Sequence, residues 1–116
     1  VERDRKMAEK NEVEIVEIDE PYVVLFNKPY IFEKKEYTSV DLSGLKNISG
    51  ADMAWVNRQL TTAGIIIPIN AELSIEYACY MAARITAMPV EFYMGMPAPL
   101  VIKIKNRIAN FIYSGE

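Results

Sequence analysis

Apolar and aromatic positions crowd the stretch PYVVLFNKPYIFEKKEYTSVDL in short runs, broken at Asn27-Lys28-Pro29 and again at Glu33-Lys34-Lys35-Glu36. Tyr, Val, Ile and Phe fit a pleated, half-buried surface, so the pattern predicts three short strands near 22–26, 30–33 and 36–42. The charged Glu-Lys-Lys-Glu step reads as a hairpin turn, although it lacks an Asn-Gly or Asp-Gly pair. In the last strand Thr38, Val40 and Leu42 alternate with Tyr37, Ser39 and Asp41, so one face is clearly apolar and the other wet. A small antiparallel sheet is expected.

After Leu42 the period changes to that of helices. Met53, Val56, Leu60 and Ala63 share a side of a helix over 51–62, stopped by Gly64. An apolar connector, GIIIPI, leads to a second helix over 74–88, bounded by Pro89, with Ile75, Ala78, Ala82 and Ile85 in one stripe. VEFYMGMPAP supplies a short helical turn and a Pro-bounded loop. The most amphipathic element covers 99–113 and is closed by Gly115: Leu100, Val101, Ile104, Ile108, Phe111 and Ile112 fill one arc, and Lys103, Asn106, Arg107 and Asn110 line the other. The expected class is α+β, with an N-terminal antiparallel sheet of about three strands and a C-terminal half of three to four helices.

Between sheet and helices lies YTSVDLSGLKNISGADM, whose two Ser-Gly pairs raise the question of a phosphate-binding loop. Neither GxxxxGK[ST] nor GxGxxG with its following acid is present. Asp41-Leu42-Ser43-Gly44 is turn chemistry, and Ser49 with Asp52 three residues on has the spacing of a capping box. A tightly built corner is therefore preferred.

Composition removes several function classes. The 116 residues, 51% hydrophobic, suit one domain over 21–116 with a modest core. There is no histidine, which removes the commonest general base and metal ligand, and Cys79 is the only cysteine. The carboxylates of Asp41, Asp52, Glu72 and Glu76 show no metal-ligand or paired spacing. The expectation is no enzyme, no metal and no cofactor. Apolar stretches such as 64–69 and 78–83 are far short of a membrane span, and no apolar signal segment opens the sequence, so a soluble protein that stays where it is made is expected.

Charge is uneven. The first twenty residues hold four basic and eight acidic side chains, whereas the remainder holds nine and eight. Residues 1–20 read as a solvated leader, with Val13, Ile15, Val16 and Ile18 able to begin a strand at its end. Lys103, Lys105 and Arg107 form a basic run on the last helix. On a chain of net charge −3 and pI near 5.1 they make a weak footprint for nucleic acid, and a solvated helix face is preferred.

The candidate binding residues lie on the sides of the helices away from those stripes. Trp55 projects away from Met53, so either a neighbouring segment or a partner must cover it. On the second helix Glu76, Tyr77, Tyr80, Arg84 and Met88 form an aromatic and arginine side, with Arg84 one turn from Tyr80 and able to stack on it. Trp, Tyr and Arg often carry interface energy, so Trp55, Tyr77, Tyr80 and Arg84 are expected to contact a partner. Met81, Met88, Met94 and Met96 could let such a surface adapt to varied sequences, and they serve equally as core filling.

The succession KPYIFEKKEYTSVDLSGL, ISGADM, ELSIEYACYMAARITAMPVEFYMGMPA and IKNRIANFIYSGE resembles the tail assembly chaperones of long-tailed bacteriophages and prophages of Gram-positive bacteria, over roughly residues 22–114. The resemblance implies a non-enzymatic protein of the host cytoplasm, absent from the mature virion. It would bind the tape-measure protein, keep its apolar segments soluble and be displaced as tube subunits polymerise. It further implies a longer frameshifted product whose extra domain recruits the tail tube protein. The resemblance supplies no catalytic residues, and exposed Trp and Tyr favour a homo-oligomer. A virion structural protein, such as a tail terminator or head–tail connector subunit, is the alternative, and a bacterial adaptor domain unrelated to phage a third.

Overall fold

The computed structural model describes residues 22–115; the acidic leader expected over 1–20 lies outside them. The chain begins with strand β1, Val23–Phe32, which pairs antiparallel with β2, Lys35–Asp41. A 3-10 turn at Ser43–Asn47 leads into helix α1, Gly50–Thr62. After the connector and a 3-10 turn at Ala71–Leu73 come α2, Ile75–Thr86, the short α3, Val90–Met94, and α4, Ala98–Ser114. The class is α+β, as the periodicity predicts.

Among the described residues the sheet has two strands, not the three expected over 22–42. Asn27-Lys28-Pro29, which in sequence reads as a break, sits inside β1 where the register shifts between Leu25 and Tyr30. Pro29 has no N–H to give a ladder, and a bulge is where a strand tolerates that. Val24 pairs with Val40 before the shift and Tyr30 with Tyr37 after it. The shift therefore reverses the facing of β2: Val40 is buried and Tyr37 half-buried, while Thr38 and Ser39 between them are exposed. The turn is made by Glu33 (φ 50°) and Lys34 (φ 70°), which join the paired Phe32 and Lys35. Positive φ at both central residues is what a right-twisted two-residue hairpin needs, and neither side chain favours it.

The corner is built as its spacing predicts. The Ala51 N–H donates to Ser49 Oγ at 3.2 Å, and the Ser49 N–H donates to Asp52 Oδ2 at 2.8 Å, capping α1. Gly44 allows the preceding turn to touch α2, since a Cβ there would lie 3.0 Å from Ile85 Cβ and 3.1 Å from its carbonyl oxygen. Gly115, at φ 80°, caps α4, whose Val101, Ile104 and Ile108 are buried. Val56 and Leu60 are the buried residues of α1.

Helix α2 runs through the centre and packs on α1, α3 and α4. Tyr77, Ala78, Cys79, Met81 and Ala82 are all buried, so this helix is enclosed on more than one side. The hairpin is held by Phe92 of α3. Its ring meets Tyr30, Phe32, Tyr37 and Tyr93 edge-on, with centroids 5.3, 5.2, 4.8 and 4.9 Å away. The Tyr30 hydroxyl donates to the Phe92 carbonyl at 2.8 Å. Behind it, the hydroxyls of Tyr93 and Thr86 lie 2.7 Å apart, and burial pushes the Tyr93 phenol up to about 12.

Two outcomes follow for urea unfolding. Phe92→Ala should lose about 3–5 kcal/mol, because it empties a site walled by four rings. Replacing Glu33-Lys34 by Asn-Gly should instead stabilise the hairpin, by about 1 kcal/mol or more, through relief of two left-handed side-chain-bearing residues. An unchanged midpoint in the turn variant would contradict this account of the turn.

Candidate functional site

Asp52 lies in the first turn of α1, and its two oxygens face different partners. Oδ2 accepts from the Ser49 backbone and, at 3.3 Å, from the Ser49 hydroxyl; Oδ1 accepts from Arg84 Nε of α2 at 2.8 Å. The capping box thus also anchors an arginine from the neighbouring helix. Held this way, the Arg84 guanidinium lies 4.4 Å from the centre of the Trp55 ring, one turn along α1 from Asp52. A guanidinium over an indole in a partly exposed setting contributes about 0.5–1 kcal/mol. The bond from Arg84 is the largest influence on Asp52, followed by that from the Ser49 backbone, and both hold its carboxyl below the ordinary value.

The four expected binding residues separate. Trp55 and Arg84 are brought together, and Trp55 is half-buried with a neighbouring segment over its ring. Arg84 stacks on this indole, where the sequence suggested Tyr80. Tyr80, one turn earlier on α2, is half-buried and packs against the core. Tyr77 does not belong to any surface: it is 1% exposed, so its expected contact with a partner is corrected to a core role. Among the described residues its hydroxyl has no hydrogen-bond partner, and burial first, then the charge of Glu72, pushes it up to about 12. The helix side on which it stands is covered because α2 is the central helix. Of the methionines, Met81 and Met96 are core and Met94 is exposed.

The basic run on α4 is also turned to structural use. Lys103 Nζ donates to the Leu25 carbonyl at 3.0 Å, and Arg107 makes a longer contact, 3.5 Å, to the Val23 carbonyl. Both carbonyls belong to β1, so the helix fastens the strand. This leaves the preferred solvated face only in part, and gives two of its three cations a backbone acceptor.

The connector between α1 and α2 carries a feature that periodicity did not assign. Ile66 is 91% exposed and Ile69 93%, with Ile67 and Leu73 also exposed. Nearby in the chain, Glu72 accepts a hydrogen bond from Tyr113 at the end of α4, and Tyr113 is itself exposed. The available signal was GIIIPI itself, an apolar run with neither helical nor alternating period and a proline in it. Such a run has no element of its own in which to be buried.

No group of three or more His, Cys, Asp or Glu among the described residues is placed to hold a metal ion, and no helix among them is long and apolar enough to cross a membrane. Asp52 is committed to a cap and an arginine. What the arrangement offers is contact: an indole and guanidinium pair on α1 and α2, and exposed aliphatic side chains on the segment joining those helices. Comparison with protein-family models, with curated proteins and with solved structures finds no match.

Trp55 is the only tryptophan, so its fluorescence reports on this cluster. Arg84→Ala should shift its emission to the red as the ring is uncovered. Because Asp52 is depressed in the folded state, the stabilisation from its charge is complete above the ordinary carboxylate range, about 3.9, and is lost as pH falls through the lowered value. The same red shift should therefore appear in wild type on acidification below that range, and Asp52→Asn should show it already at pH 7. An emission maximum unmoved in both variants would mean that Arg84 does not cover Trp55 in solution.

Proposed function

We propose that this chain is a tail assembly chaperone of a long-tailed phage or prophage, a non-enzymatic protein that holds apolar segments of the tape-measure protein until the tube forms around them. The observation that carries this proposal is the exposed connector. Three isoleucines within four residues, two of them almost wholly in water, are an unfavourable surface for a protein to keep unless an apolar partner covers it. Trp55, Arg84 and Tyr80 lie on the two helices that this connector joins. An amphipathic helix laid along this pair would bury aliphatic side chains on the isoleucines and, roughly 10 Å further on, where α1 begins and α2 ends, meet the indole and the guanidinium. The order of strand, DLSGL corner, capped helix and closing amphipathic helix adds the family resemblance.

In this proposal the chain acts in the host cytoplasm, self-associates weakly until client replaces its own copies, and leaves the assembling tail. A longer frameshifted form would bring the tail tube protein. No cofactor, nucleic acid or membrane is required.

Co-expression with tape-measure fragments tests it. Ile66→Ser with Ile69→Ser should sharply lower the amount of soluble fragment recovered, while the melting curve stays within about 0.5 kcal/mol of wild type, as for surface changes elsewhere. Trp55→Ala should weaken capture by about 2 kcal/mol if the indole is a hot spot. Full capture by the double serine variant would remove the connector as the client surface. Detection of this chain as a stoichiometric component of purified virions would favour a terminator or connector subunit over a chaperone.

A further inference from the structure

The bulge in β1 and the start of α4 enclose a groove of about 380 Å³, within the range of ligand-binding pockets. Pro29 and Tyr30 form one wall, and Pro99 and Leu100 the other. Prolines have a fixed φ and the Tyr30 hydroxyl is committed to the Phe92 carbonyl, so this apolar lining is preformed and little ordering is needed to fill it. Lys28, Lys103, Asn27 and Pro97 complete the lining, which contains no acidic residue among the described residues. Lys103 is fixed in position by its bond to the Leu25 carbonyl, and Lys28 is exposed at the bulge. On a chain of net charge −3 this is a local reversal of sign around an apolar floor.

We propose that this groove is a docking site for an acidic, aliphatic peptide segment of a partner protein. An aliphatic side chain of the segment packs on Pro29, Pro99 and Leu100, and carboxylates on either side of it meet the ammonium groups of Lys28 and Lys103. Charge complementarity selects the occupant: a basic segment is repelled by the two ammonium groups and a purely apolar one gives them no counter-charge, whereas a polar acidic one leaves the floor empty. None of the lining residues belongs to the connector or to the Trp55 cluster. The groove is a second surface, and the proposal stands whether or not the chain is a chaperone.

Fluorescence polarisation with the full chain and a labelled octapeptide of alternating Glu and Leu tests the proposal, with the Gln-Leu counterpart as the uncharged control. The Glu-Leu peptide should bind, and added salt should weaken it, as a charge-dependent contact requires. The Gln-Leu peptide, or the Lys28→Glu variant, should reduce affinity by about tenfold or more, and Lys28→Arg should retain it. Melting curves that match wild type show that the variants are folded. Absence of binding to the wild-type chain overturns the proposal, as does equal binding by Lys28→Glu or by the Gln-Leu peptide. So does binding that appears only when Glu12, Glu14 and Glu17 are replaced by Gln, because the chain's own acidic residues would then be the occupant.

Discussion

The edge-on packing of four aromatic rings around Phe92 is the contact on which the architecture depends. A two-stranded hairpin is marginal alone in water, and so is a five-residue helix. Phe92 sits on the latter and takes Tyr30, Phe32 and Tyr37 from the former, so each supplies the surface that the other needs. The bond from the Tyr30 hydroxyl to the Phe92 carbonyl sets their orientation. The register shift in β1 belongs to the same arrangement. Without it Thr38 or Glu36, not Tyr37, would face Phe92, because side chains on a strand alternate between faces.

From Phe92 the connection runs through Tyr93 and Thr86 to α2, and α2 packs on the other helices. One consequence is that an aromatic side of α2 becomes interior, with Tyr77 enclosed and Tyr80 half-enclosed. Another is that Arg84, near the end of α2, reaches the first turn of α1. Asp52 then serves in two roles, closing the cap of its own helix and orienting the guanidinium that lies over Trp55. Local chain chemistry and a contact between helices share a single carboxylate.

Two surfaces stand open beside these contacts. The Ile66–Ile69 connector is apolar and open, while the groove at the β1 bulge is apolar with a cationic rim. Their chemistry differs, which suits different partners. Both lie where regular structure is interrupted, the first between helices and the second where Pro29 breaks the ladder. Irregular backbone leaves side chains without the neighbours that a helix face or sheet face would give them.

Hydrophobic period, caps and turn residues were sufficient for the α+β class, the four helical segments, the capped corner at Ser49 and Asp52, and the glycine stop at Gly115. Each of these depends on residues close in sequence, and the relevant forces act over one or two turns. The Asn27-Lys28-Pro29 step reads as a break in sequence because a bulge and a loop share the same residues, and only pairing with β2 distinguishes them. Periodicity likewise states which residues share a side of a helix, as for Tyr77, Tyr80 and Arg84, without stating whether another element covers it. Tyr77 became core, Arg84 became the lid of Trp55, and Ile66, Ile67 and Ile69 of GIIIPI were left in water through packing between segments distant in the chain. Burial is a property of neighbours brought together by folding, and no local pattern contains it.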